Sequence, residues 1–325
     1  MVEKLWDVQR PGRSQVMSAG SRKNLSRRRG LPSRGHWPAS MCRMHEATTR
    51  LQALSRGIGN LATAAALLAP FPGLGATPTV PVEDVPFITT PDHVTVAMLE
   101  LAGVGAQDHV IDLGSGDGRI VITAAKRFGA SGLGVEIVPD LVAQSRVNAR
   151  RAGVAARTRF EVQDLYATDL STASVVTMYL LPEVNLALRP RLLALKPGTR
   201  LVSHDWALGD WAPDRTLTVA VPEKTIGREK LSRLHLWTVP AAVQGLWCGP
   251  AGATLQLQQR YQVLSALLTQ GGLARSYSGR LHGAALELLG EAGARWQATV
   301  DGEVLRGGDA TATLPWRRAG AAGCG

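Results

Sequence analysis

The stretch from Val110 to Arg119 is Val-Ile-Asp-Leu-Gly-Ser-Gly-Asp-Gly-Arg. Two β-branched residues precede Asp112, and three glycines then alternate with small or polar residues ahead of a helix-like run. This order predicts a buried strand that turns sharply into a helix. Alternate glycines let the backbone take conformations closed to other residues and let a ligand approach closely. The free N–H groups of the following helix start suit a carboxylate or phosphate. Asp112, at the end of the strand, suits a cationic amine. A ligand with an amine and a carboxylate side by side would satisfy both ends.

The methionine part of S-adenosylmethionine has that chemistry, and the stretch resembles the first motif of the class I S-adenosylmethionine-dependent methyltransferases. A dinucleotide site is the rival, but its usual spacing is G-x-G-x-x-G, whereas Gly114, Gly116 and Gly118 give G-x-G-x-G. A glycine turn with a purely structural role is the plainer alternative.

The next segments carry the same pattern onward. Ile120, Val121, Ala124, Ala125 and Phe128 recur at helical spacing, and Gly129 ends that helix. Gly132 to Ile137 predicts a second buried strand ending in Glu136, 24 residues after Asp112. An acid there can accept both hydroxyls of a ribose. Arg159 to Val162 predicts a third strand, followed by Gln163, Asp164 and Leu165. Asp164 can accept a hydrogen bond from an adenine amino group, with Leu165 as apolar contact. Any one of these acids alone reads equally as a solvated loop residue. Acids at the carboxyl ends of successive strands share one crevice, where open α/β sheets bind ligands.

Val175 to Leu180 and Arg200 to His204 predict a fourth and fifth strand, and Thr216–Val221 with Leu234–Val239 a final pair. Upstream, Asp92 to Leu101 predicts a helix with Pro91 in its first turn and Thr90 as its cap. The whole predicts an α/β fold with a seven-stranded Rossmann-like methyltransferase sheet, followed by a small antiparallel β-rich region or partial barrel. In that second region the expected strands are Gln244–Trp247, Ala253–Leu264, Leu273–Arg280, Ala284–Leu289, Arg295–Val300 and Glu303–Arg306. Pro315 to Gly325 is expected to be a frayed tail.

The net charge of +10 over 325 residues is confined to one end. Residues 1–60 hold 12 of the Lys and Arg and 3 of the Asp and Glu, and the remainder is nearly balanced. The basicity therefore says little about the folded part, and there is no strong nucleic-acid signal in it. Residues 1–76 are expected to be a basic disordered leader. From Met44 onward it resembles an export signal, with Arg50 and Arg56, an apolar core at Leu61–Leu68 and a Gly75-Ala76 cleavage site. A short amphipathic helix is the alternative. The apolar core is too short for a permanent transmembrane helix. The chain is expected to be cytoplasmic if the leader is not a working signal and periplasmic or secreted if it is, although S-adenosylmethionine is a cytosolic metabolite. A linker at 77–85, a methyltransferase domain at 86–240, a β-rich domain at 241–312 and a tail at 313–325 complete the expected division. Cys42, Cys248 and Cys324 form no zinc-type cluster, so no metal is expected. His204 and His235 fall in strand-like runs and suit packing roles.

Taken together, several segments resemble one family, the small protein-lysine methyltransferases of mitochondria and their bacterial relatives. The mitochondrial members act on the ATP synthase c subunit and the adenine nucleotide translocase. The segments are Thr89-Thr90-Pro91, Asp112 to Val121, Gly134-Val135-Glu136, Asp164-Leu165, Val175-Val176 with Leu181-Pro182, and Trp211 to Asp214. They lie within roughly Pro86 to Pro240. The resemblance implies S-adenosyl-L-methionine as cofactor, held by Asp112, Gly114, Gly116, Glu136 and Asp164. Thr90, Leu113, Ser115, Asp117, Gly118, Ile137 and Leu165 complete the candidate cofactor set. It implies in-line methyl transfer to an acceptor, with a protein lysine as the leading choice. Tyr179 and Pro182 are candidates for the acceptor side, and Glu183 and Asp205 for orienting the amine or taking its proton. A small-molecule methyltransferase of the same fold and a non-catalytic exported nucleoside-binding protein stay open as alternatives.

Overall fold

The computed structural model describes residues 88–225, 229–308 and 314–324. The leader, its export-signal reading, Cys42 and the 77–85 linker lie outside the described residues.

Three strands joined by two helices build the first half. They run β1 (His109–Leu113), α2 (Arg119–Phe128), β2 (Ser131–Glu136), α3 (Pro139–Arg151) and β3 (Thr158–Val162), with α1 (Asp92–Leu101) ahead of them. The second half adds β4 (Val175–Met178), α4 (Pro182–Leu193), β5 (Arg200–His204), β6 (Arg215–Ala220) and β7 (Leu231–Thr238). The strand order is β3-β2-β1-β4-β5-β7-β6, with β7 running antiparallel to both neighbours. Right-handed crossovers force this arrangement: the chain winds outward from β1 to one edge, then returns and winds to the other. The strand order therefore reverses beside β1, and a crevice opens at the carboxyl ends of β1 and β4.

Both faces of the sheet are covered, so β1 and β4 are apolar runs and almost wholly buried. α1 and α2 pack Val94, Met98, Leu99, Ile120 and Ala124 on one face. On the other, Leu188 and Leu192 of α4 pack with Ile111, Met178, Leu201 and two tryptophans, Trp211 and Trp237. Pro190 sits inside α4 on its exposed side, where the bond it lacks costs least.

The C-terminal region is a closed eight-stranded barrel, more complete than the partial barrel expected. Its strands are β8 (Gly245–Cys248), β9 (Thr254–Arg260), β10 (Val263–Gln270), β11 (Leu273–His282), β12 (Ala285–Gly290), β13 (Arg295–Asp301), β14 (Val304–Gly308) and β15 (Trp316–Arg318). Inward residues alternate with outward ones, and Trp247, Trp296, Trp316 and a set of leucines fill the interior. Among the described residues no helix is long and apolar enough to cross a membrane.

Two expectations are corrected here. Ala253–Leu264 is not one strand: β9 turns back into β10 at Tyr261 and Gln262, with Tyr261 at φ +54°. No glycine, proline, asparagine or aspartate marks this turn, because tertiary contacts hold it. The Tyr261 ring stacks on Trp211 with centroids 5.7 Å apart. The buried Gln262 accepts from Trp211 Nε1 at 2.8 Å and donates to the Ala212 carbonyl at 2.8 Å. Pro315–Gly325 is likewise not a frayed tail. Trp316 fills the barrel, β15 closes it against β8, and Cys324 is bonded to Cys248. The sequence signal was weak because the segment is short and polar outside Trp316.

Gln262→Ala should leave the Trp211 indole N–H unpaired in a buried place, at a cost of roughly 1–3 kcal/mol, read as a lower urea midpoint with an unchanged slope. Cys248→Ser with Cys324→Ser opens a loop closed across 76 residues. It should lower the unfolding free energy of the barrel by roughly 2–4 kcal/mol, and reduction of the native chain should lower its melting temperature in the same direction.

Candidate active site

The turn from β1 into α2 is held by the end of β2. The N–H groups of Gly114 and Ser115 both donate to the Val135 carbonyl, at 3.0 and 2.9 Å. The Gly116 N–H donates to Glu136 Oε2 at 3.0 Å. Gly114, Gly116 and Gly118 all have positive φ, the region in which a side chain is strained. They differ in what surrounds them. A Cβ on Gly118 would lie 2.7 Å from the Phe160 ring and from Ser145, so helix packing demands this glycine. A Cβ on Gly114 would meet only Leu180, at 3.0 Å.

Asp112 is buried at the base of the turn and accepts from Thr177 Oγ1 at 2.7 Å. Burial pushes its carboxyl up to about 7, with the Glu136 and Asp117 charges adding to the effect and the Thr177 bond opposing it. A buried carboxylate with one side-chain donor is short of a cation, which an incoming amine would supply. Glu136 also accepts from the N–H groups of Ile137 and Val138, at 2.8 and 3.1 Å, which fixes its carboxylate at the strand end. Asp164 accepts from the Tyr166 N–H at 2.8 Å and opens a short 3-10 turn beginning at Leu165. Ile137, Val138 and Val162 stand exposed around this crevice, an apolar rim suited to a flat heterocycle. The Ser115 hydroxyl is buried with no hydrogen-bond partner among the described residues. An amine-seeking acid, a glycine cradle, a diol-seeking acid and an apolar rim fit S-adenosylmethionine.

The Asp117 carboxylate is engaged within the turn itself. It pairs with Arg119 at 2.7 Å, and Arg119 donates to the Thr90 carbonyl at 2.8 Å. Thr90 does not cap α1, whose N-cap is Pro91. Its hydroxyl lies 3.2 Å from His204 Nδ1 instead, because Arg119 holds the Thr90 backbone against the turn.

This last contact borders the candidate acceptor side. A cleft of about 610 Å³ lies there, with Ile88, Tyr179, His204, Val221 and Lys224 in its walls and Asp92 and Glu223 at the rim. The Tyr179 ring stacks on His204 with centroids 3.9 Å apart. His204 Nε2 lies 2.8 Å from Ser232 Oγ. Burial drives the imidazole down to about 4, so it is neutral near pH 7. Tyr179 donates to Asp205 Oδ2 at 3.5 Å, and burial and the Asp205 charge push its phenol up to about 12. Burial acts to raise Asp205, but Lys224 at 2.6 Å and the Arg233 N–H at 2.9 Å outweigh it and hold the carboxyl below its ordinary value.

Of the candidate residues, Tyr179 and Asp205 meet here. Pro182 begins α4, and Glu183 stands exposed in its first turn with no hydrogen bond or ion pair among the described residues. His204, Ser232 and Lys224 were not anticipated as site residues. A histidine closing a strand just before an acid was the one available signal; Ser232 and Lys224 arrive through the β6–β7 return.

The fold and this crevice define a class I S-adenosylmethionine-dependent methyltransferase. A family described as the ANTKMT methyltransferase domain matches residues 112–215. A protein-lysine N-methyltransferase of Saccharolobus islandicus is 44% identical over 140 residues, covering 42% of this chain and 87% of that protein. This chain belongs to the same family of protein-lysine methyltransferases. A mouse lysine N-methyltransferase named for the ATP synthase c subunit is 39% identical over 108 residues, 33% of this chain and 43% of that protein, so the match spans under half of its length. A solved structure described as an RNA methyltransferase from Salinibacter ruber with S-adenosyl-L-homocysteine is 50% identical. It covers 48% of this chain and 96% of that one, with a TM-score of 0.44.

Glu136→Ala removes the acceptor of three loop N–H groups, and should weaken S-adenosylhomocysteine binding by about tenfold or more in a calorimetric titration. Asp112 sets a pH dependence. Its folded value of about 7 lies above that of the unfolded chain, so the folded chain holds a proton that the unfolded chain has lost. Stability of the ligand-free protein should therefore fall as pH rises from about 4 to about 7. Asp112→Asn should flatten that slope in melting temperature against pH.

Proposed function

We propose that this chain transfers a methyl group to the side-chain amine of a protein lysine. The observation that carries the reading is the cleft walled by Tyr179 and His204 in a chain of the protein-lysine methyltransferase family. When bound, S-adenosylmethionine supplies an electrophilic methyl group on a sulfonium leaving group.

The rest falls to the residues of the chain. Asp92 and Glu223 stand exposed at the rim and attract a cationic side chain. Neutral His204 in the wall does not repel it, and the Lys224 ammonium in the same wall is paired with Asp205. A lysine amine has an ordinary pKa of about 10.4 and must lose a proton to become a nucleophile. The apolar walls, Ile88 and Val221, favour its neutral form by desolvation. Tyr179 spends its O–H on Asp205, which leaves its oxygen lone pairs to accept an amine N–H. Stacking on His204 keeps that phenol in place, so the amine is oriented on arrival.

We also propose that the chain works in an oxidising compartment, on the strength of the Cys248–Cys324 bridge. Thiol labelling of the native protein, taken directly from cells, should find these two cysteines blocked.

The deciding experiment titrates S-adenosylmethionine, S-adenosylhomocysteine and NAD into the full chain, then follows labelled methyl transfer to lysine-bearing proteins. Binding of both sulfur nucleosides without NAD, and label on lysine, is expected; a folded chain that binds neither sinks the reading. Tyr179→Phe should cut turnover about tenfold or more while S-adenosylhomocysteine affinity stays within about twofold.

A further inference from the structure

Asp205 has a backbone that few residues tolerate. Its φ is +63°, and the other non-glycine residues with positive φ, Ala251, Tyr261 and Ala292, all lie in turns of the barrel. A non-glycine residue in this region is strained and persists where the surroundings impose it. Here the imposing contacts are the end of β5 and the start of β7: the Asp205 N–H donates to the Arg233 carbonyl at 2.6 Å, and the Arg233 N–H returns to Asp205 Oδ1 at 2.9 Å. The strained conformation places a carboxylate, only 16% exposed, directly behind the acceptor cleft.

One oxygen of this carboxylate is taken by the backbone. The other, Oδ2, is taken by Lys224 Nζ at 2.6 Å, with the Tyr179 hydroxyl at 3.5 Å on the same atom. Lys224 lines the cleft, whereas Asp205 does not. The ammonium of Lys224 therefore covers the acid from the cleft side. Among the described residues the ammonium also donates to the Leu231 carbonyl at 2.7 Å. Lys224 is 17% exposed and belongs to the connection between β6 and β7, not to a strand. A primary ammonium on a four-carbon stem is thus already seated against an acid in the wall of a cleft assigned to lysine side chains.

We propose that Asp205 is the anionic subsite for the side-chain ammonium of the acceptor, and that Lys224 is its resident occupant, which the acceptor must displace. This rests on the lysine-acceptor reading above. Removing one partner of a largely buried pair leaves the other charge uncompensated, so on binding Asp205 exchanges one ammonium for the other, and the acceptor gives up its proton to solvent only after this exchange. The exchange makes Lys224 a built-in competitor: it preserves the fold of the empty site and sets a threshold that weakly held cations do not pass. The same exchange brings the arriving amine beside the Tyr179 hydroxyl, because both occupants share Oδ2.

The probe is n-butylammonium, the side-chain fragment of lysine, titrated by ligand-observed NMR into the full chain with and without saturating S-adenosylhomocysteine. Lys224→Met keeps the length of the stem and removes the charge. It should bind the probe about tenfold or more tighter than the unaltered chain, the size of coupling expected of a close charge pair. Lys224→Met with Asp205→Asn should lose that gain. Equal or weaker binding by folded Lys224→Met overturns the proposal. Should Lys224→Met not fold, Asp205→Asn decides: binding at least fivefold weaker than the unaltered chain upholds the subsite, and unchanged binding overturns it. S-adenosylhomocysteine affinity, read separately, distinguishes the two levels. If the unaltered chain fails to bind it, the methyltransferase reading fails; if it binds while the probe ignores both substitutions, only the exchange fails.

Discussion

The turn after β1 keeps its shape because three of its N–H groups are spent on the last two residues of β2. A run of glycines has no rigidity of its own, since each one is free to take many conformations in the unfolded chain. Val135 and Glu136 remove that freedom. Glu136 thereby serves the turn and faces the crevice at once. Gly134 is a consequence: a Cβ there would strike Ser115 Oγ at 2.6 Å, so the strand can approach the turn only without a side chain. Gly118 acts further out, letting α2 lie against Phe160 and Ser145. Four glycines close in sequence and space thus have separate causes, and only some concern a ligand.

The cleft walled by Tyr179 and His204 depends on this turn through one arginine. Arg119 binds Asp117 within the turn and the carbonyl of Thr90 outside it. Thr90 then meets His204, and His204 meets both Ser232 and the Tyr179 ring. The chain of contacts runs from the cofactor crevice through the segment before α1 to the ends of β4, β5 and β7. Each group in it is buried or half-buried, so each hydrogen bond lost would leave a polar atom without water. That is a physical reason for the neutral histidine: both ring nitrogens are engaged by hydroxyls, which can donate or accept as the neutral tautomer requires.

The barrel is joined to the sheet by the loop between β5 and β6. Trp211 is wholly buried between the two, its indole N–H donating to Gln262 and its carbonyl accepting from Trp237. Asp214 accepts from the Thr238 N–H on one side and from Gln262 and Arg280 on the other. Aromatic area and saturated hydrogen bonds together make this a fixed joint. The barrel interior is filled by side chains, so its place in the molecule is that of a packed body and not a ligand cup.

The cofactor half of the site was legible in the sequence because it is local. Asp112, the glycines, Glu136 and Asp164 each sit at a strand end, and strand ends are marked by the change from apolar runs to turn residues. The same periodicity marked the seven strands of the sheet. What failed to show was set by contacts between distant segments. The Tyr261–Gln262 turn carries no turn residue because Trp211 holds it. The closing strand at Trp316 is three residues long and gains its meaning from β8 and the Cys248–Cys324 bond. Thr90 looked like a cap until His204 claimed its hydroxyl. Lys224 and Ser232 approach Asp205 and His204 only because β7 returns antiparallel beside β5. By itself the sequence determined the fold class and the strand ends that carry the candidate cofactor residues, since both follow from local apolar period and backbone freedom. The tertiary structure alone decided that His204, Ser232 and Lys224 join Tyr179 and Asp205 at the cleft, because hydrogen bonds between segments tens of residues apart have no signature in local order.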